Sequence, residues 1–189
     1  RRTLGAIAAS FTNFVETSTV ATDPATLATL LASKDVFLIV EQETAPAGKL
    51  AELGRAWAPV LSNFVAQGGI VVACSYLKDE HLILVHSGLL SLNRAREFSS
   101  LNLAAGMNHP LLAGVSFPFT GQEIATYEAF DGDIVVRSAG TGEAVVMARD
   151  VGAGHAVMIG SDYPVNRTGL DRILANAIHI VIGTGASGP

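Results

Sequence analysis

Two short apolar runs without charged residues, at positions 36–40 and 70–73, dominate the hydropathy pattern of this chain. Such continuous runs are typical of central parallel strands that are buried on both faces. Each run follows a segment with apolar residues at helical spacing, over residues 25–33 and 44–67. The alternation predicts two strands, each preceded by a helix, within a layered α/β sheet.

The ends of these segments carry specific signals. Asp23 and Pro24 predict the start of the first helix, because Asp caps a helix and Pro fits its first position. Pro59 predicts a kink in the longer helix, and Gly68 with Gly69 predicts its end. The second apolar strand is therefore expected to begin directly after a helix.

The second half of the chain has a different pattern, which is rich in hairpin signals. Short links that contain glycine and aspartate favour antiparallel strands at residues 123–129, 133–138, 144–149 and 155–160. Residues 93–122 are predicted to be irregular. The other predicted elements are a helix over 4–14, a short strand over 14–21, a helix over 79–92 and a closing helix over 168–182.

Composition limits the size and the partners of the molecule. The chain has 189 residues, of which 49% are hydrophobic and 15% charged, and its net charge is −5. We expect one domain over residues 1–182 and a flexible tail over 183–189. The acidic balance disfavours nucleic acid as a partner, and no run reaches the ~18 apolar residues of a membrane span. Because the chain does not begin with Met, we expect it to be part of a larger protein.

Polar side chains follow the apolar strands at the points where each strand ends. Glu41 and Glu43 follow the first strand, Ser75 follows the second, and Ser161 and Asp162 follow the last. In open α/β sheets, ligands bind at the carboxyl ends of strands. These five residues are therefore the predicted binding site for a small polar ligand, although Asp162 also fits the cap of the next turn.

The single cysteine, Cys74, lies where the second apolar run meets a polar turn. As a nucleophile it would need a nearby base, and the candidates are His81, His86, His109 and His155, of which His109 lies in a loop before Pro110. The alternative is that Cys74 is a small buried residue and that His109 belongs to a structural turn. The residues alone leave both interpretations open.

The sequence predicts neither a metal nor a cofactor. His81 and His86 are five positions apart, so they do not share a helix face and make a poor metal pair. The glycines at 152 and 154 precede a strand, whereas a dinucleotide fingerprint follows a strand and opens a helix.

Three segments, taken together, suggest a family. They are residues 64–72 (FVAQGGIVV), 109–114 (HPLLAG) and 152–162 (GAGHAVMIGSD). This set resembles the class I glutamine amidotransferase-like superfamily, in particular its ThuA-like and related bacterial domains of unassigned role, over roughly residues 20–182. The resemblance implies an α/β fold, a three-layer flavodoxin-like sandwich with a mainly parallel central sheet and an antiparallel, hairpin-rich C-terminal part.

The catalytic pattern of that superfamily is not intact in this chain. Active members carry the cysteine in a Gly-X-Cys-X-Gly elbow, but Val72 and Tyr76 stand at the two glycine positions here. The family's His-X-Glu is also missing after Ser161 and Asp162. The resemblance therefore implies a degenerate site without catalysis.

We accordingly expect a non-catalytic amidotransferase-like domain that binds a small polar ligand, such as a carbohydrate, or a protein partner. The alternatives are a cysteine-dependent hydrolase that uses Cys74 and a structural or assembly module. The family's proposed roles favour a bacterial envelope or extracytoplasmic location over the cytoplasm. The oligomeric state and the identity of the ligand stay open.

Overall fold

Five α-helices and seven β-strands form the part of the chain that the computed structural model describes, residues 2–10, 14–161 and 168–179. The helices are α1 (Arg2–Ser10), α2 (Pro24–Leu31), α3 (Lys49–Ala66), α4 (His81–His86) and α5 (Thr168–His179). The strands are β1 (Val36–Ile39), β2 (Ile70–Cys74), β3 (Leu92–Ala105), β4 (Phe119–Ala129), β5 (Asp133–Ser138), β6 (Ala144–Val151) and β7 (Gly154–Ile159). A 3₁₀ turn covers Pro110–Leu112.

The strands join in one sheet in the order β1-β2-β7-β6-β4-β3-β5. β1, β2 and β7 run parallel, with Val36 opposite Ile70 and Cys74 opposite Ile159. The prediction that the two apolar runs form adjacent parallel strands is therefore confirmed. The expectation of a central, fully buried strand holds for β2 and is wrong for β1, which lies at the edge of the sheet and is mostly half-buried. Helices cover both faces of this parallel part, which explains why its strands contain no Asp, Glu, Lys or Arg.

Four antiparallel strands close on themselves and form a barrel. β3 pairs with both β4 and β5, and β6 also pairs with both of these strands. Closure leaves none of the four with an open edge, which satisfies their backbone groups. The predicted flavodoxin-like three-layer sandwich with a mainly parallel sheet is therefore wrong. Of the seven strand pairings in the described residues, two are parallel and five are antiparallel.

The long hairpin of β3 and β4 also overturns the prediction of an irregular segment over residues 93–122. Most residues of β3 are exposed or half-buried on both faces, so the strand lacks the period-two apolar pattern that would identify it. The helix predicted over 79–92 is limited to α4, because β3 begins at Leu92. Residues 14–22 lie outside any strand, so the short strand predicted over 14–21 is also wrong.

The two faces of the parallel strands pack into different apolar layers. Val71 and Ala73 of β2 face a cluster that includes side chains of α2, α3 and α4. Ile70, Val72 and Cys74 face the other cluster, which includes side chains of α1 and α5. Because successive strand residues point to opposite faces, this alternation decides the environment of each side chain at the end of β2.

The helix boundaries follow the signals in the sequence. Asp23 accepts a hydrogen bond of 2.8 Å from the Thr26 amide, and this bond holds the pKa of the Asp23 carboxyl below its usual value. α3 runs without a break through Pro59 and ends before Gly68, whose φ of 102° suits glycine. Gly54 lets α3 pack closely on α4, because a side chain there would meet the Leu82 carbonyl at 2.8 Å.

Candidate functional site

The loops that follow β1, β2 and β7 meet at one edge of the sheet, which we call the rim: residues 40–48, residues 75–80 and Ser161. The three strands are parallel, so their carboxyl ends lie at the same edge. A backbone hydrogen bond of 3.0 Å from Ser75 to β7 joins two of these ends. The structure therefore brings Glu41, Ser75 and Ser161 to one edge.

Arg94, near the start of β3, holds the loop between β2 and α4. Its Nη1 donates to the Tyr76 carbonyl at 2.5 Å, and its Nη2 donates to the Lys78 carbonyl. Nη2 also donates to Ser75 Oγ at 2.8 Å, and that hydroxyl donates to the Lys78 carbonyl at 2.7 Å. The Glu97 carboxylate lies 2.6 Å from Nη1 and balances the charge. One guanidinium thus fixes both sides of the loop.

Glu80 connects two of the rim loops from inside the protein. Its side chain is fully buried, and Oε1 accepts a hydrogen bond of 2.7 Å from the Gln42 amide in the loop after β1. Glu80 Oε2 and Arg94 Nε are also buried, and neither has a hydrogen-bond partner among the described residues. An unsatisfied buried polar group costs about 1–3 kcal/mol, and more when it is charged. Two such atoms in one cluster therefore call for a physical explanation.

Two buried aromatic rings lie beside these charges. His81 and Tyr127 have ring centroids 5.4 Å apart, and Tyr127 is directly opposite Arg94 in the β3–β4 pair. Burial raises the pKa of Tyr127 to about 12, while the positive charge of Arg94 lowers that pKa and the negative charge of Glu80 raises it. Burial lowers the pKa of His81 to about 4, and the Arg94 guanidinium, 3.4 Å from its Nδ1, lowers it further. Both side chains are therefore neutral near pH 7.

Cys74 and His109 lie in different environments. Cys74 is fully buried in the apolar layer with α1 and α5, at the carboxyl end of β2. His109 is half-buried, and burial lowers the pKa of its imidazole. Their pairing as nucleophile and base stays a prediction.

His109 has a role in its local turn. Its Nδ1 accepts a hydrogen bond of 3.2 Å from the Leu111 amide, which caps the 3₁₀ turn. Leu111 is fully buried, and Asn176 of α5 donates to its carbonyl at 2.8 Å. The turn therefore fixes an apolar side chain against α5, as the structural interpretation of His109 expects.

The remaining predicted ligand residues differ in how far they face solvent. Glu41 is half-buried and Glu43 is exposed on the loop after β1. Ser161 is buried, and its Oγ donates to the Gln122 carbonyl at 3.4 Å. Asp162 lies outside the described residues. Within the described residues, no group of three or more His, Cys, Asp or Glu side chains is placed to hold a metal ion.

Sequence reasoning missed the central residues of this cluster, namely Glu80, His81, Arg94 and Tyr127. Arg94 and Tyr127 meet only because β3 and β4 pair, and that hairpin was not predicted. A β-bulge between Arg94 and Arg96 adds an irregularity at this point, and bulges often re-aim side chains beside functional sites. One local signal was available for Glu80: a run of four polar residues, 78–81, directly follows a buried strand and its turn.

A strained backbone position lies beside the rim. Glu123 has a φ of 50°, in the left-handed region that a residue with a side chain seldom adopts. Neighbouring contacts hold it there: Ile124 bridges to Ser161, and the Ala125 amide donates to the Gly160 carbonyl at 2.9 Å. Such strain costs about 1–3 kcal/mol and often occurs at functional sites.

Comparisons with known proteins give structural neighbours only. No protein-family model and no curated protein matches the sequence. The chain is similar in structure to the cytoplasmic protein STM1381 from Salmonella typhimurium LT2, with a TM-score of 0.65, 11% identity, and coverage of 95% of this chain and 86% of that one. The cytoplasmic protein STM3548 from Salmonella typhimurium has a TM-score of 0.58 and 14% identity, with coverage of 92% of this chain and 78% of that one. The mmIFT52 N-terminal domain has a TM-score of 0.52 and 12% identity, with coverage of 82% of this chain and 78% of that one. At these identities the likeness concerns the fold alone.

These findings correct two expectations from the sequence. The resemblance to the class I glutamine amidotransferase-like superfamily and its ThuA-like members is wrong, because the neighbours are of the STM1381 and STM3548 type and the antiparallel strands form a closed barrel. The preference for an envelope or extracytoplasmic location is also corrected, since both Salmonella proteins are named as cytoplasmic, a word that applies to those proteins. None of the described helices combines the length and apolarity needed to cross a bilayer.

Proposed function

We propose that this chain is a non-catalytic module that binds a small polar ligand at the rim. The observation that carries the proposal is Glu80, a fully buried carboxylate between two rim loops with one oxygen engaged and the other without a partner. A ligand that donates a hydrogen bond to this oxygen removes the cost of leaving it unsatisfied. The hydrogen bond from Gln42 uses one oxygen of Glu80 and leaves the burial of the other oxygen uncompensated.

The environment of Cys74 argues against the alternative of a cysteine-dependent hydrolase. A reactive cysteine needs access to solvent and a neighbouring positive charge or base that stabilises the thiolate. Cys74 has no exposed surface, and it belongs to an apolar cluster. Nearby His81 belongs to the opposite layer, where it packs on Tyr127.

The fixed loop and the polar groups of the rim favour a ligand-binding role over a purely structural one. Arg94 fixes the loop between β2 and α4 before any ligand arrives, so little conformational entropy remains to be lost on binding. Glu41 and Glu43 add acceptor groups at the outer side of the same edge. A pre-formed polar site of this kind fits a small molecule with several hydrogen-bonding groups.

A thermal-shift screen of the full chain tests the proposal. Small sugars, polyols, amino acids, amides, simple amines and carboxylates are added one at a time, and a compound that binds the folded state raises the melting temperature with its concentration. Glu80→Gln should remove the shift, whereas Glu43→Gln, which changes an exposed carboxylate of the same loops, should retain most of it. If no compound shifts the melting temperature, the ligand-binding function is refuted. A mass in solution that is a multiple of the chain would then favour assembly.

A further inference from the structure

β1 is the end strand of the sheet. At the other end of the strand order β5 pairs back onto β6, whereas β1 pairs with β2 alone among the described strands. The Ile70 amide donates to the Asp35 carbonyl at 2.9 Å, and this bond fixes which backbone groups of β1 face β2. Because successive residues of a strand turn these groups to opposite sides, the amide and carbonyl groups of Val36 and Leu38 face outward, away from β2.

This outer edge lacks the features that normally keep an exposed strand from pairing. Residues 36–40 contain no charged residue and no proline, and their register with β2 has no bulge. Natural proteins use such features to protect sheet edges, because free amide and carbonyl groups otherwise pair with another strand. Within the part of the chain that the structure describes, no other segment makes a backbone hydrogen bond to Val36 or Leu38. The edge is therefore open to a further strand.

The surface beside β1 is also uncharged. α2 packs in the same layer as β1, with Leu27 and Leu31 in the apolar cluster that contains Ile39. Residues 24–33 have no charged side chain. Their exposed members are all small, namely Ala25, Thr26, Ala28, Thr29, Ala32 and Ser33. The outer face of a surface helix is normally charged, whereas a lack of charge is typical of the core of a protein interface.

A second copy of the same strand fits this edge. Antiparallel pairing about a twofold axis perpendicular to the sheet places one residue opposite itself, and two such registers centre β1, with either Phe37 or Leu38 on the axis. With Leu38 on the axis, Asp35 would lie opposite Glu41 of the second copy, and like charges directly opposite are unfavourable. With Phe37 on the axis, Val36 lies opposite Leu38 of the second copy, and each such pair exchanges two backbone hydrogen bonds. The charges beside the strand therefore favour the register with Phe37 on the axis.

We propose that two copies of this chain associate through β1, in an antiparallel pair that joins their sheets into one. On one face Val36 and Leu38 continue the apolar layer that includes α1 and α5. On the other face Phe37, which packs edge-on against Trp57 at 5.9 Å, lies beside its own copy, and the uncharged surface of α2 is on the same side. The proposal goes beyond ligand binding at the rim and does not depend on it.

Sedimentation velocity of the full chain, from micromolar to near-millimolar concentration, tests the association. We expect a concentration-dependent species with twice the mass of the chain. Val36→Pro removes an outward amide and leaves the bonds between β1 and β2 in place, since the first residue of an edge strand tolerates proline. Symmetry removes the amide from both copies, so the dissociation constant should rise by about 10- to 100-fold. The matched control Val36→Ala also shortens the side chain but keeps the amide, and it should retain the dimer. Fluorescence of Trp57 checks that both variants are folded.

Hydrogen exchange of the wild-type chain locates the interface without any variant. In a monomer the outward amides of Val36 and Leu38 should exchange quickly, while the amides of Phe37 and Ile39 are protected by their bonds to β2. In the dimer all four amides should be protected, and the protection of Val36 and Leu38 should rise with protein concentration.

Three results would overturn the proposal. The first is a chain that stays monomeric throughout the concentration range, or that forms a species of any mass other than twice its own. The second is a dimer in which the Val36 and Leu38 amides still exchange quickly, because the interface would then lie elsewhere. The third is protection of these two amides that is independent of concentration, because the chain itself would then cover the edge. Glu80→Gln should leave the dimer intact, so loss of ligand binding and loss of association are separate results.

Discussion

The buried imidazole of His81 should make the fold sensitive to acid. The side chain is 4% exposed, and burial is the largest cause that lowers its pKa from 6.5 to about 4. The charges of Arg94 and His86 act in the same direction, whereas Asp79 acts against them. Tyr127, which packs on the ring, is neutral in this range because its own pKa is raised to about 12.

The sign and size of the effect follow from linkage between protonation and folding. Below pH 6.5 the unfolded chain binds a proton at this histidine and the folded chain does not, so stability falls as the pH falls. The loss begins near the unfolded pKa and is complete below the folded pKa of about 4. The gap between 6.5 and about 4 corresponds to ~3 kcal/mol of unfolding free energy.

Urea denaturation at several pH values between about 7 and about 4 measures this effect. Trp57 is the single tryptophan and is 6% exposed, so its fluorescence reports unfolding. Other carboxyl groups titrate in the same range, so the useful quantity is the difference between wild type and His81→Gln. The wild type should lose ~3 kcal/mol more than this variant over the range. A variant that loses as much as the wild type would refute the reasoning, and His86→Gln serves as the matched control on the same helix.

Three further changes test other parts of the structure. Arg94→Met should lower the unfolding free energy, measured in urea, by about 2–4 kcal/mol, because the loop carbonyls lose their hydrogen-bond donor. The control Arg96→Met removes a side chain that is 61% exposed and makes one ion pair, so it should lower the unfolding free energy by under ~1 kcal/mol. Equal losses in the two variants would contradict the role of Arg94. Glu123→Gly should raise the unfolding free energy by up to ~1 kcal/mol and Glu123→Ala should not, because only glycine adopts a φ of 50° without strain. A lower unfolding free energy for the glycine variant would argue against backbone strain at this position. Cys74 should resist iodoacetamide in the folded protein and react in urea, as mass spectrometry would detect, and rapid labelling at neutral pH would show that the thiol is accessible.

The parts of the fold that the sequence predicted are those encoded by local patterns. The apolar runs of β1 and β2 predict strands, and their neighbouring helices carry clear caps and glycine ends. The hairpin-rich strands β5, β6 and β7 were also visible, because turn residues separate them. Each of these signals lies within about 20 residues of chain, which is the range in which periodicity is informative.

Barrel closure could not be predicted in the same way. It depends on β3 pairing at one end with β5, where Leu103 lies opposite Ser138, and on β5 pairing with β6. β3 is polar or half-buried through most of its length, because a strand of a small barrel has one solvent-facing side and its twist and bulge blur the alternation. The sequence therefore predicted the parallel strands correctly, but the mainly parallel sandwich inferred from them was wrong.

The candidate site shows the same division between local and distant information. Edge placement of Glu41, Ser75 and Ser161 required only that β1, β2 and β7 be parallel, and it does not depend on the amidotransferase-like resemblance. The chemistry of the site, in contrast, comes from Arg94 and its strand partner. A functional role for these residues can be inferred only after the β3–β4 hairpin is known.

Arg94 connects the two parts of the sheet at the candidate site. The residue belongs to the barrel, yet its hydrogen bonds go to the loop that ends a strand of the parallel part. Beside the β6–β7 pairing that joins the two parts of the sheet, Arg94 thus connects the barrel to the loop after β2, and Glu80 extends the same network to the loop after β1. A ligand that binds Glu80 Oε2 should therefore stabilise the loops that Glu80 connects, and protection of the Gln42 amide from hydrogen exchange should rise.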